Sequence, residues 1–183
     1  MLNQICQAID ALLEQRDRVT VAIDGSCAAG KTTLAAFLAE RYPCTVIHLD
    51  EFFLRPHQRT PERYAQPGGN VDYERFAEEV LAPLKAGFPF SYRPFDCRTF
   101  TLSDPVSITP GRLTIIEGSY SHHPYFGSPY DLKIFLTVDP DIRRQRILER
   151  PAFLHQRFFD TWIPMEQCYF DTFRIPENSD LIF

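Results

Sequence analysis

Lysine is scarce in this chain: only 3 of its 19 basic side chains are lysines, and its formal net charge is −5. That balance argues against a nucleic-acid binder that works by general basicity. The five cysteines (Cys6, Cys27, Cys44, Cys97, Cys168) form no C-x-x-C pair. They therefore read as free thiols of a reducing compartment rather than a zinc site or a disulfide frame. No apolar run approaches the length of a membrane span, and Met1-Leu2-Asn3-Gln4 does not open a signal peptide. The expectation is a cytoplasmic protein without a membrane partner. Glycine is sparse too, with 8 residues in 183, and two of the 8 fall within one short stretch.

That stretch carries the strongest signal. Val19-Thr20-Val21-Ala22-Ile23 is an apolar, β-branched run that reads as a buried strand. It leads into Gly25-Ser26-Cys27-Ala28-Ala29-Gly30-Lys31-Thr32-Thr33, after which Leu34–Ala39 reads as a helix. Strand, G-x-x-x-x-G-K-[ST] and helix in this order make a phosphate-binding P-loop. Glycines at the two ends let the backbone wrap round a phosphate with its N–H groups inward. The small Ser26, Cys27, Ala28 and Ala29 keep the mouth clear. Lys31 is placed to reach the β- and γ-phosphates, and the Thr32 hydroxyl to ligate Mg²⁺. A glycine-containing turn is the bland alternative, but this chain's own composition yields the pattern by chance only on the order of once in a thousand such sequences.

Hydrophobic residues are 44% of the chain, including 16 Phe and 8 Tyr, enough for the core of a single domain over residues 1–183. Ile5, Ile9, Leu12 and Leu13 recur at helical spacing ahead of the first strand. Thr45–Leu49, Leu113–Glu117, Leu132–Val138 and Leu181–Phe183 read as further strands, and helices are expected over 73–85, from Asp139-Pro140 to Arg150, and near 165–173. Residues 54–70, with three prolines and two glycines, read as an irregular functional loop. Residues 87–110 read as short hairpin strands. Alternating strands and helices predict a three-layer α/β/α P-loop NTPase fold with a parallel sheet of about five strands.

Asp50 and Glu117 close two different strands, where an α/β sheet gathers its ligand-binding groups. One can take the proton of an acceptor hydroxyl and the other can hold Mg²⁺ through water. Arg143, Arg144, Arg146, Arg150 and Arg157 lie within fifteen residues of an acidic chain. They suggest a lid over about 143–160 closing on a triphosphate, against the alternative of a solvated basic helix face. His122-His123 has no spaced metal partner and is expected on a loop surface.

With these residues placed, the chain resembles the uridine kinase branch of P-loop kinases, which includes phosphoribulokinase, type I pantothenate kinase and nicotinamide riboside kinase. The resemblance spans nearly the whole chain. It rests on the P-loop, on His48-Leu49-Asp50-Glu51-Phe52-Phe53, on Gly69-Asn70-Val71-Asp72, on Ile116-Glu117-Gly118, on Asp141–Arg150 and on Ser179-Asp180-Leu181-Ile182. It implies ATP and Mg²⁺ as cofactors, with Gly25 to Thr33 and Arg157 on the nucleotide and Thr32, Asp50 and Glu117 around the metal. Lys31, Asp50, Arg146 and Arg150 are implied as catalytic. Asp50, Phe53, Asp72, Tyr92 and Asp96 are implied at the acceptor, in regions 54–72 and 88–100. Three features depart from the family: Tyr92–Arg98 lacks its base-recognising His, Val71 replaces an aromatic, and the lid has no glycine. The expectation is a kinase acting on a hydroxyl of a nucleoside-like metabolite. Pantothenate or a sugar phosphate remains open as acceptor, as does a regulatory ATPase, and homo-oligomerisation is left open.

Overall fold

The computed structural model describes residues 1–183. Helix α1 (Leu2–Gln15) precedes β1 (Val19–Gly25), which runs through the P-loop into α2 (Lys31–Arg41) and β2 (Cys44–His48). The loop expected over 54–70 holds a short helix α3 (Pro61–Tyr64), capped by the Thr60 side chain accepting from the Arg63 N–H. Helix α4 (Tyr73–Phe76) passes through a π-helical turn (Ala77–Leu81) into α5 (Ala82–Ala86). Two small antiparallel ladders follow, made by β3 (Phe90–Tyr92) with β6 (Val106–Ile108) and by β4 (Phe95–Asp96) with β5 (Thr101–Leu102). The chain then forms β7 (Leu113–Glu117), β8 (Leu132–Leu136), α6 (Pro140–Leu148) and α7 (Ala152–Arg157). A second π-helical turn (Phe158–Trp162) leads into α8 (Ile163–Phe173), and β9 (Leu181–Ile182) closes the chain.

Both π-helical turns run straight into a proline, Pro83 or Pro164. Proline has no N–H to return to the carbonyl four residues back, and its ring crowds that carbonyl. Widening the turn by one residue relieves the clash without breaking the helix.

The main sheet has the order β2-β7-β1-β8-β9, with every pair parallel. Strand alternation divides its side chains between two cores. Val19, Val21, Ile23, Leu113, Ile115 and Ile134 face α1 and α2, which contribute Ile5, Ile9, Leu34 and Leu38. Ile47, Ile116 and Phe135 face the other way, against Phe76 and Val80 of the α4–α5 helix and Tyr169 and Phe170 of α8. This is the predicted α/β/α sandwich. No helix is long and apolar enough to cross a membrane.

Candidate active site

The register of the sheet assembles the site. Ile23 of β1 and His48 of β2 both lie opposite Glu117 of β7, so three strands end at one level. Alternation sends Glu117 to the α2 face and Asp24 to the α8 face.

Gly25 and Gly30 adopt positive φ of 136° and 98°. A Cβ on Gly25 would stand 2.0 Å from the Leu136 carbonyl oxygen, so only glycine lets the chain leave β1 beside β8. At Gly30 the space a Cβ would occupy is open. Helix α2 begins immediately after it with no side-chain cap, presenting unpaired N–H groups to that space. The buried Lys31 ammonium donates to the carbonyls of Gly25 at 2.6 Å and Ser26 at 3.0 Å, across the base of the loop.

The Thr32 hydroxyl lies 3.2 Å from both oxygens of the buried Glu117 carboxylate, and His48 Nδ1 contacts Glu117 Oε1 at 2.5 Å. That bond raises the imidazole above its ordinary pKa. Asp50 approaches from the turn after β2. A Cβ on Gly118, itself at φ +139°, would come 3.2 Å from Asp50 Oδ1, so the end of β7 can lie against this carboxylate only as glycine. Asp50 is open to water by surface area, yet protein crowds its carboxyl. That crowding raises its pKa to about 6 against the pull of Lys31, with Glu117 and Glu166 adding to the rise.

A hydroxyl and two carboxylates form an all-oxygen donor set suited to a hard cation. No group of three His, Cys, Asp or Glu side chains closes a complete cage. The set fits Mg²⁺, which keeps waters and shares phosphate oxygens.

No family model matches the sequence, and no curated protein matches it. Solved structures do. A possible uridine kinase from Bacillus stearothermophilus superposes with a TM-score of 0.68 at 22% identity, over 98% of this chain and 99% of that one. A provisionally assigned fructose transport system kinase from Silicibacter sp. TM1040 gives 0.67 at 24%, over 100% and 98%. The chain has the fold of the uridine kinase-like P-loop kinases.

Within this fold, two buried carboxylates brace the P-loop, and local sequence signals had not singled them out. Asp24 is fully buried and accepts from the N–H groups of Gly25 (2.7 Å), Tyr120 (3.1 Å) and His122 (2.9 Å) and from the Tyr169 hydroxyl (2.8 Å). Glu166 of α8 accepts from the Cys27 N–H at 2.9 Å and the Ser119 hydroxyl at 2.6 Å. Their partners lie up to 145 residues away in the chain, so only the fold reveals them.

The lid residues divide. Arg146 donates to the Ala28 carbonyl of the P-loop at 2.8 Å. Arg150 and Arg157 lie instead over the rings of Phe158 and Trp162. Ile147 and Phe158 pack on Cys27, so the lid segment rests on the phosphate loop.

Among the residues expected at an acceptor, Phe53 bridges to Val71 in an isolated antiparallel pair. Asp72 is almost fully buried, caps α4 through the Arg75 N–H, and lies 3.3 Å from Arg55 and 3.4 Å from Arg75. Tyr92 is buried, with its hydroxyl given to Glu51 at 2.6 Å. Asp96 accepts from the backbone and side chain of Arg98. Both groups thus have intramolecular partners.

His122 and His123 correct the expectation of a loop surface. Both are buried. His123 stacks on Tyr73 at 4.5 Å and on Tyr169 at 5.9 Å, and burial lowers its pKa to about 4.

Proposed function

We propose that this protein is an ATP- and Mg²⁺-dependent small-molecule kinase that transfers the γ-phosphoryl group of ATP to a hydroxyl of an acceptor metabolite. One observation carries the reading: Lys31, Thr32, Glu117 and Asp50 converge at the end of the sheet, with Asp50 held at a pKa fit for a general base. The P-loop N–H groups and Lys31 would hold the phosphates. Arg146, beside the loop, would complete charge neutralisation as the lid settles. Thr32 and Glu117, with Asp50 nearby, would hold Mg²⁺, whose chemistry is to neutralise charge on the phosphate oxygens. Asp50 accepts the acceptor's hydroxyl proton as the phosphorus–oxygen bond forms. Residues 54–72 and 88–100 would enclose an acceptor, which a regulatory ATPase does not require.

A coupled ADP-release assay over nucleosides, pantothenate, nicotinamide riboside and sugar phosphates tests the proposal. ADP release stimulated by one hydroxyl compound, and lowered at least about 100-fold in Asp50→Asn with ATP affinity nearly unchanged, is the expected outcome. Acceptor-independent ATP hydrolysis that survives Asp50→Asn would point to the regulatory ATPase instead.

A further inference from the structure

Six arginines stand on the acceptor side: four have carboxylate partners, Arg98 with Asp96 among them, and the Arg93 guanidinium donates to the carbonyls of Leu102 and Ser103. Arg55 faces Asp72, Arg63 forks onto Glu74 at 2.6 and 2.7 Å, and Arg75 contacts Asp72 and Glu79. Arg59 has no carboxylate within ion-pair distance, yet it is firmly placed. Its Nε donates to the Leu54 carbonyl at 2.8 Å, and its guanidinium lies 5.5 Å from the Phe95 ring and 4.8 Å from the Phe100 ring. Aromatic faces attract a cation but offer no acceptor to the in-plane N–H groups. The terminal nitrogens of Arg59 are therefore oriented with no protein oxygen as acceptor and only the weakly accepting Cys97 sulfur beside them, a fork suited to a planar or tetrahedral anion.

Its position completes the case. The β4–β5 hairpin that carries Phe95 and Phe100 packs on the turn holding Asp50. Burial first raises the Cys97 thiol at the tip of β4, and of the charges that act on it the Arg59 cation lowers it while the Asp50 carboxylate raises it. The groups that might have read a neutral ring, the Tyr92 hydroxyl and the Asp96 carboxylate, are already bonded to Glu51 and Arg98.

We propose that Arg59 is the anion-binding residue of the acceptor site, so that the hydroxyl compound phosphorylated here carries a phosphate ester or a carboxylate. This rests on the kinase reading for the reaction, but not for the binding of the anion. The positive charge anchors one end of the acceptor while Asp50 meets its hydroxyl at the other, which orients the nucleophile before transfer.

Two measurements test it. In the first, acceptors are compared in matched pairs: ribose with ribose 5-phosphate, fructose with fructose 1-phosphate, glycerol with glycerate. The anionic members should give at least tenfold higher kcat/KM, and which pair leads separates phosphate from carboxylate. Arg59→Gln should raise the acceptor KM at least 30-fold with a much smaller change in kcat, and Arg59→Lys should recover part of the loss. Equal use of neutral and anionic members, or equal loss for both in Arg59→Gln, would overturn the assignment.

The second measurement needs no turnover. Alkylation of Cys97 by iodoacetate and by iodoacetamide is followed by peptide mass spectrometry, with the exposed Cys168 as internal reference. The iodoacetate-to-iodoacetamide rate ratio should be at least fivefold higher at Cys97 than at Cys168. Inorganic phosphate should lower it in the wild type and in Lys31→Ala, and Arg59→Gln should abolish the difference. A ratio equal at the two cysteines in the wild type would refute the anion site even if the protein proves to be a kinase. A high ratio in a protein that transfers no phosphoryl group would leave the site standing and overturn the kinase reading alone.

Discussion

The proposed role of Asp50 follows from its position in the turn after β2, where Lys31 and Glu117 act on it. Its pKa is raised to about 6, mainly through crowding by protein. The proton-accepting form is the carboxylate, so kcat/KM should be level above about pH 7 and fall tenfold per unit below about pH 6. A pH–rate profile of the wild type checks this, and a profile flat down to pH 4.5 would remove Asp50 from the role. His123 shifts in the opposite direction for the same physical reason. It is held neutral at about 4, against an ordinary value near 6.5. Below pH 6.5 the unfolded chain binds a proton that the folded chain refuses, so stability falls as pH drops from about 6.5 towards 4, by up to about 3 kcal/mol. Thermal melts of His123→Phe should show a shallower loss of Tm across that window than the wild type.

Elements were easier to read from the sequence than their contacts. Val19–Ile23 and Leu113–Glu117 announce themselves because burial on both faces demands unbroken apolar runs. The P-loop does so because a phosphate dictates small residues and glycines locally. The strand-end carboxylates Asp50 and Glu117 followed from the sheet rule alone. Asp24 and Glu166 were silent, since their meaning lies in N–H groups and hydroxyls brought from distant segments. His122-His123 misled because two polar-looking residues after Gly118 suggest a surface turn. In fact the Asp24 carboxylate accepts the backbone N–H of His122 and draws the turn inward. The helix widenings before Pro83 and Pro164 were equally hidden, because a proline can break, kink or widen a helix and only the packing decides which. Asp24 joins β1, the turn after β7 and α8, so Asp24→Ala should strand several buried donors at once. A loss of about 3 kcal/mol or more is expected, read by urea denaturation, with Asp24→Asn losing less.

For the whole molecule, the loop after β1 is shared between the sheet and the α6–α8 segment. Cys27 gives its N–H to Glu166 and its side chain to Ile147 and Phe158, while Ala28 gives its carbonyl to Arg146. Occupying the loop should therefore stiffen most of the domain. ATP at about 100 times its Kd should add about 2.7 kcal/mol to stability. For a chain of this length that is a rise in Tm of roughly 5–10 °C. Lys31→Ala should lose most of this shift, and a Tm indifferent to ATP in the wild type would contradict nucleotide binding.

The sulfur of Cys27 has a consequence for the living cell. Burial first, then the neighbouring Glu166, pushes this thiol up to about 12, and little of it meets solvent. Peroxide attacks the ionised, accessible form. A burst of oxidant should thus strike first at the outward-facing sulfurs of Cys97 and Cys168 and leave the loop around Cys27 chemically intact.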